Sequence, residues 1–268
     1  MITLYDCATA PSPRRARILL AEKGVAHDTV QIDLRQGEHF GPAYRQLNPQ
    51  ATVPTLRTDE GLLLTDNAAI TAYIEARFPE PPLLGRTPAE KAEIASWHWR
   101  VEFEGLMAIA EALRNSAPAM ANRALPGPVD YAQIPALAQR GLARVQQFFA
   151  QLNEHLAGRE FIATDNFSIA DIAAVVVVDF ARVVKVKPTD LQPHLQRWRA
   201  AMALRPSMVL LVCSRPGRLR NCVARNYVAK CRYTVVSKST KPGYDATSWN
   251  GKICEPQKPP MPFLRSIQ

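Results

Sequence analysis

Ser12 stands directly before Pro13, in a stretch of the chain (residues 8–13) whose composition is that of a loop feeding a helix. A hydroxyl there, with Arg14, Arg15 and Arg17 close behind, has two possible uses. It can accept from a free amide as a helix cap, or it can work with the positive end of the helix and the arginines to stabilise an anion. One residue can do both. Thr9 is the other hydroxyl of the stretch. Cys7, at the end of a short apolar run, reads as a packed thiol. Asp66 and Asn67 precede apolar positions at Ile70, Tyr73, Ile74 and Phe78, which keep helical spacing, so a carboxylate sits where a helix start favours one. His39 is a lone loop histidine, a type that is ordinarily solvated. Cys213, Cys222 and Cys231 are nine residues apart with no histidine after residue 208. That spacing is too wide for a zinc knuckle, and no metal site is expected.

The elements that must position these residues follow from periodicity. Ile2 and Leu4 alternate with polar neighbours as a strand, Pro13 suits the first turn of a helix continued by residues 14–23 and ended at Gly24, and Val30, Ile32 and Leu34 alternate as a second strand. A strand, helix and strand in that order form a crossover unit with two parallel strands. Residues 37–47 read as irregular or short helix. Residues 55–57 and 62–64 flank Thr58, Asp59, Glu60 and Gly61 as a hairpin, and a helix starts near Asp66. This order is that of an α/β thioredoxin-like domain over residues 1–80. Pro81, Pro82 and Gly85 make residues 81–86 a stiff linker. Residues 87–208 then read as an all-α helical bundle, helical from Thr87 to about Arg205. Leu142, Val145, Phe149, Leu152 and Leu156 form a stripe at spacings of three and four. Ser168-Ile169-Ala170-Asp171 has the form of a capping box, read as structural.

The formal net charge of +9 is carried by the tail: residues 209–268 hold eleven basic and two acidic side chains, and the rest of the chain balances at zero. The body therefore lacks the electrostatic footprint of a nucleic-acid binder. The tail is rich in Arg, Lys, Ser and Pro without helical period. It reads as a basic extension without order, foreign to the domains before it; the other reading is an arm for nucleic acid or an anionic membrane surface. The most apolar segment, residues 169–184, is interrupted by Asp171 and Asp179, and no basic start followed by an apolar run opens the sequence. The expectation is a cytoplasmic protein with no membrane contact.

Gly37-Glu38-His39, the run from Asn48 through Val53-Pro54 to Leu56, and Thr65-Asp66-Asn67-Ala68-Ala69-Ile70 together resemble the glutathione-binding segments of bacterial, phi-like and theta-like cytosolic glutathione transferases. The Ser-Ile-Ala-Asp box resembles the helical domain of the same family, so the resemblance covers residues 1–208.

The resemblance implies an enzyme that holds the glutathione thiolate for attack on a small apolar electrophile, in the service of detoxification. Glutathione is then a cosubstrate, with no tightly bound cofactor, and the protein a homodimer. Val53, before a cis Pro54, would bind the cysteinyl backbone like an added strand. Asp66 would pair with the γ-glutamyl amine, and Asn67 with the helix amides would hold the γ-glutamyl carboxylate. His39 would contact the glycyl carboxylate, with Thr52 beside it at a position more often Lys or Gln in the family. Ala10 falls where many relatives carry the catalytic serine or cysteine. Ser12 is therefore assigned as the catalytic hydroxyl, with Thr9 as the alternative. Trp97, His98 and Trp99 fall where the family builds its electrophile pocket, but two tryptophans this close cannot share one helix face. The absence of a hydroxyl at Ala10 leaves two other readings: a non-catalytic glutathione-binding scaffold on the same fold, and a glutathione-dependent reductase or isomerase.

Overall fold

In a computed structural model of the protein, which describes residues 1–209, β1 (Thr3–Asp6) runs fully buried through a sheet ordered β2-β1-β3-β4. β2 (Asp28–Gln31) is parallel to β1, with Thr3 opposite Asp28. The parallel pair needs a crossover, and α1 (Pro11–Glu22) supplies it. β3 (Thr55–Arg57) is antiparallel to β1, with Tyr5 opposite Thr55, and β4 (Leu63–Leu64) is antiparallel to β3. This register brings the carboxyl ends of β1, β2 and β4 and the amino end of β3 to one end of the sheet. α2 (Pro42–Leu47), after a short turn at Glu38–Phe40, and α3 (Asn67–Arg77) complete this half.

Two expectations shift here. The second strand ends at Gln31, an exposed edge, and Ile32 and Leu34 instead pack beside Tyr5 and Tyr44. The first helix begins earlier than expected: Ala10 is its cap residue and offers no side-chain bond, Pro11 takes the first helical position, and Ser12 lies inside the first turn. Ser12 is therefore not a cap. Proline at either 11 or 13 satisfies the first turn of a helix, and the chain uses the earlier one.

The second half is α4 (Pro88–Arg100), a π-helical stretch (Val101–Leu106), α5 (Met107–Arg114), α6 (Pro135–His155), α7 (Ile169–Phe180), α8 (Pro193–Ala203) and α9 (Pro206–Val209). It is less continuously helical than expected, because residues 115–134, 156–168 and 185–192 are mostly irregular. Pro118, Pro126 and Pro128 remove amide donors in the first of these gaps. Of the apolar stripe, Val145, Phe149, Leu152 and Leu156 are buried and Leu142 is exposed. At Gly141 a Cβ would come within 2.6 Å of the Ala108 carbonyl, so only glycine lets α6 approach α5 this closely.

Ion pairs and carbonyl contacts tie the halves together. Arg14 of α1 reaches Asp179 of α7 at 2.8 Å, and Arg205 reaches Glu22 at 2.8 Å. Buried Lys23 donates to the carbonyls of Phe78 at 2.8 Å and Pro79 at 3.3 Å, pinning the proline-rich linker. Among the described residues no helix is long and apolar enough to cross a membrane. Residues 210–268, and with them the reading of the tail, lie outside the described residues.

Candidate functional site

The loops that leave the shared end of the sheet carry the residues singled out by the sequence. After β1 the chain turns at Cys7, with the Ala10 amide donating to the Cys7 carbonyl at 3.0 Å. Buried Asp6 organises this turn. It accepts from Arg17 and from the Gln31 side-chain amide at 2.8 Å, and Arg17 also donates to the carbonyls of Cys7 and Ala8, each at 3.3 Å. Cys7 is a buried free thiol, as expected; its Sγ lies 3.5 Å from the hydroxyl of exposed Thr9.

Ser12 is half-buried at the start of α1. Pro11 and Pro13 have no N–H, so the first three helical positions present only the Ser12 amide. The helix terminus is accordingly a weak anion site by itself. What compensates is Arg15, whose Nη2 donates to Ser12 Oγ at 3.2 Å. Arg14 and Arg17, expected to share this task, are committed to Asp179 and Asp6. Arg15 forms an ion pair with Glu102 from the helical half, and burial draws its guanidinium down to about 10, still a cation at neutral pH. His98, 3.7 Å from Glu102, is pulled down to about 4 by burial and then by Arg15, so it is neutral there.

Asn67 joins this group directly, its Nδ2 donating to the Ser12 carbonyl at 3.2 Å. Asp66 caps α3, with one carboxylate oxygen accepting from the Ala69 amide at 2.8 Å, and its side chain is exposed. The starts of α1 and α3 thus stand side by side, with Ser12, Asp66 and Asn67 brought together.

Val53-Pro54 is a cis bond, adjoining the amino end of β3. The main-chain groups of Val53 make no hydrogen bond among the described residues, whereas its neighbours are firmly held. The Thr52 carbonyl accepts from Tyr44 Oη at 2.6 Å and from Asn48 Nδ2 at 2.9 Å. Fully buried Asn48 also reaches the hydroxyls of Thr52 and Thr55, each at 3.2 Å, and accepts from the Gln50 amide at 3.0 Å.

His39 departs from the picture of a solvated loop histidine. It is buried, its ring centroid 3.9 Å from that of Phe40, and its Nε2 lies 3.1 Å from Nη2 of Arg123 in the helical half. The tryptophans divide as their spacing requires: Trp97 is buried against His155, and Trp99 is exposed and stacked on Phe103. Sequence reasoning put the arginines behind Ser12 as a group, of which Arg15 alone reaches the hydroxyl; it missed Glu102, Asn48's strut and Arg123. Arg15 and Asn48 lay inside segments already noted. Glu102 and Arg123 carry no local signal. Among the described residues no cluster of three or more His, Cys, Asp or Glu side chains is placed to hold a metal ion.

Comparison with known proteins adds to this geometry. Residues 9–77 match the family model described as glutathione S-transferase, N-terminal domain, and residues 117–206 match that of the glutathione S-transferase C-terminal domain. Glutathione S-transferase 2 of Saccharomyces cerevisiae is 33% identical over 212 residues, spanning 78% of this chain and 88% of that protein. Among solved structures, a glutathione S-transferase domain-containing protein from Marinobacter aquaeolei VT8 superposes with a TM-score of 0.69 at 36% identity, covering 77% of this chain and 99% of that one. The structure of Gtt2 from Saccharomyces cerevisiae gives 0.70 at 33% identity, covering 78% and 99%.

Proposed function

The chain belongs to the glutathione S-transferase family, and from that membership we propose that Ser12 is the hydroxyl that stabilises the glutathione thiolate. The observation that supports this most is the bond from Arg15 to Ser12 Oγ. Because the oxygen already accepts from a cation, its own hydrogen is free to be donated, and the positive charge behind it strengthens that donor. A thiolate held this way is the nucleophile: its sulfur bonds to the electrophilic carbon, and either a leaving group departs with the electron pair or a conjugated system accepts it.

The rest of the site fits the two ends of the tripeptide. The unpaired main chain of Val53 receives the cysteinyl backbone, Asp66 the γ-glutamyl amine, and Asn67 the γ-glutamyl carboxylate, with Thr52 and His39 toward the glycyl end. Residues 1–80 act as the glutathione domain, 81–86 as linker and 87–208 as the substrate domain, in a cytoplasmic homodimer. For the small apolar electrophile, the exposed Trp99–Phe103 stack offers an aromatic strip next to the helix positions, His98 and Glu102, that approach Arg15. Buried Trp97 is excluded from it.

The test is the ultraviolet absorbance of the thiolate of bound glutathione as a function of pH, in wild type, Ser12→Ala and Thr9→Ala. Wild type is expected to hold the thiol pKa below the free value of about 8.5, Ser12→Ala to raise it by about one unit or more, and Thr9→Ala to leave it in place. An unchanged pKa in Ser12→Ala removes the assignment of Ser12. Binding without any shift in wild type points to the scaffold reading.

A further inference from the structure

His39 and Arg123 are 84 positions apart, and their contact is chemically odd. Arginine has only donors, so an Nη2 to Nε2 distance of 3.1 Å requires Nε2 to be the acceptor, which places the ring proton on Nδ1. That Nδ1 is buried and has no hydrogen-bond partner. Arg123 also lies over the Phe40 ring at 4.8 Å, and Arg114 donates to the Arg123 carbonyl at 2.8 Å. Among the described residues, neither Arg114 nor Arg123 has a carboxylate within ion-pair distance. Burial first, then Arg123 and Arg114, lower the His39 pKa, as expected for a ring facing uncompensated cations. The irregular segment carrying Arg123 also leans on the other half. A Cβ at Gly127 would sit 3.7 Å from the carbonyl of Gln50, in the run that leads to Thr52 and Val53.

A buried donor without an acceptor costs free energy, and so do two guanidinium groups without a counter-charge; an arriving carboxylate relieves both. We propose that Arg123, from the helical half, completes the carboxylate site begun by His39, so that the glycyl end of glutathione is clamped between the two halves of the chain. The assignment rests on glutathione being the ligand. It makes Arg123 a recognition residue, and it makes the irregular segment between α5 and α6 part of the binding site.

The experiment is titration calorimetry on the full chain with two probes: glutathione, and its monoester blocked at the glycyl carboxylate. The proteins are wild type, Arg123→Gln and Arg123→Lys. Wild type is expected to prefer glutathione over the ester by about tenfold, the range of a charge-assisted bond at a partly exposed site. Arg123→Gln is expected to lose that preference by weakening glutathione alone, with the ester serving as an internal check on folding, and Arg123→Lys to restore part of it. An Arg123→Gln variant that keeps the preference, or that weakens both probes equally, overturns the proposal while leaving glutathione binding intact. Failure of wild type to bind either probe removes the glutathione reading itself, and this proposal with it.

Discussion

At the scale of single residues, the site is held by side chains that do in the interior what a sheet ladder does elsewhere. Asn48 is the clearest case: one fully buried amide serves the Thr52 carbonyl, two threonine hydroxyls and the Gln50 amide, and so fixes the approach to Val53. Truncation to alanine strands several of these groups without water. Asn48→Ala is expected to lose about 2–3 kcal/mol of stability in urea unfolding and to weaken glutathione binding as the loop relaxes. A variant that melts with wild type and binds equally well would show that Tyr44 alone holds the loop. The sequence made this run visible through its resemblance, yet nothing in its spacing says that the asparagine points inward. Ser12 shows a different limit. Two prolines, at 11 and 13, each fit a helix start, and only the folded chain decides which does, so a residue read as cap or activator turns out to lie past the cap. Arg123 was beyond reach because its partner is 84 positions away and the segment carrying it has no period.

At the scale of elements, α7 explains why local preference and final structure diverge. Its Val175–Val178 run favours strand by propensity, but every residue from Ile169 to Val178 is buried, and packing on α1 and α4 outweighs the small cost of β-branched residues in a helix. What the sequence did make legible is the helix start: Ser168 Oγ accepts from the Ala170 amide at 3.3 Å, and Asp171 accepts from the Ser168 amide at 3.1 Å. Asp171 does more than cap. It also accepts from the Ser168 hydroxyl, the Ile162 amide and Trp198 Nε1, joining three segments. Burial raises its pKa to about 6 even though these donors pull the other way. With the unfolded value near 3.8, the folded chain holds an extra proton between the two. That contribution to stability is present at lower pH and is lost as pH rises through about 6. Asp171→Asn keeps the shape but sets a donor among donors, and is expected to cost about 1–3 kcal/mol. In urea unfolding, the gap between wild type and variant should narrow as pH is raised from about 4 to 7. A gap that widens with pH means the carboxylate is stabilised, not penalised, by its surroundings. The irregular segment between α5 and α6 was less legible, because a helical reading from Thr87 to about Arg205 passed over the three prolines, Pro118, Pro126 and Pro128, that interrupt it.

At the scale of the whole molecule, the question is how much of the chain the fold requires. The two halves are coupled by Arg14 to Asp179, Arg15 to Glu102 and Arg205 to Glu22, and the last of these sits at the start of α9. The C-terminal family match ends at residue 206, and the Marinobacter aquaeolei structure is covered over 99% of its own length by 77% of this chain. That solved chain is therefore matched over nearly its whole length without a counterpart to the remainder. The charge divides at the same point, because the +9 of the chain resides after residue 209 and the part before it is neutral overall. Deleting residues 210–268 is expected to leave the melting temperature and the glutathione affinity unchanged. The same deletion should abolish retention on a cation exchanger at neutral pH, since a balanced surface has no net attraction to a fixed negative charge. The two readouts separate the possibilities. Loss of retention with an unchanged melt assigns the basic charge to a segment that the transferase fold does not need. A melt lowered by several degrees means that the segment contributes contacts to the body, and that the fold of this chain extends beyond what its relatives require.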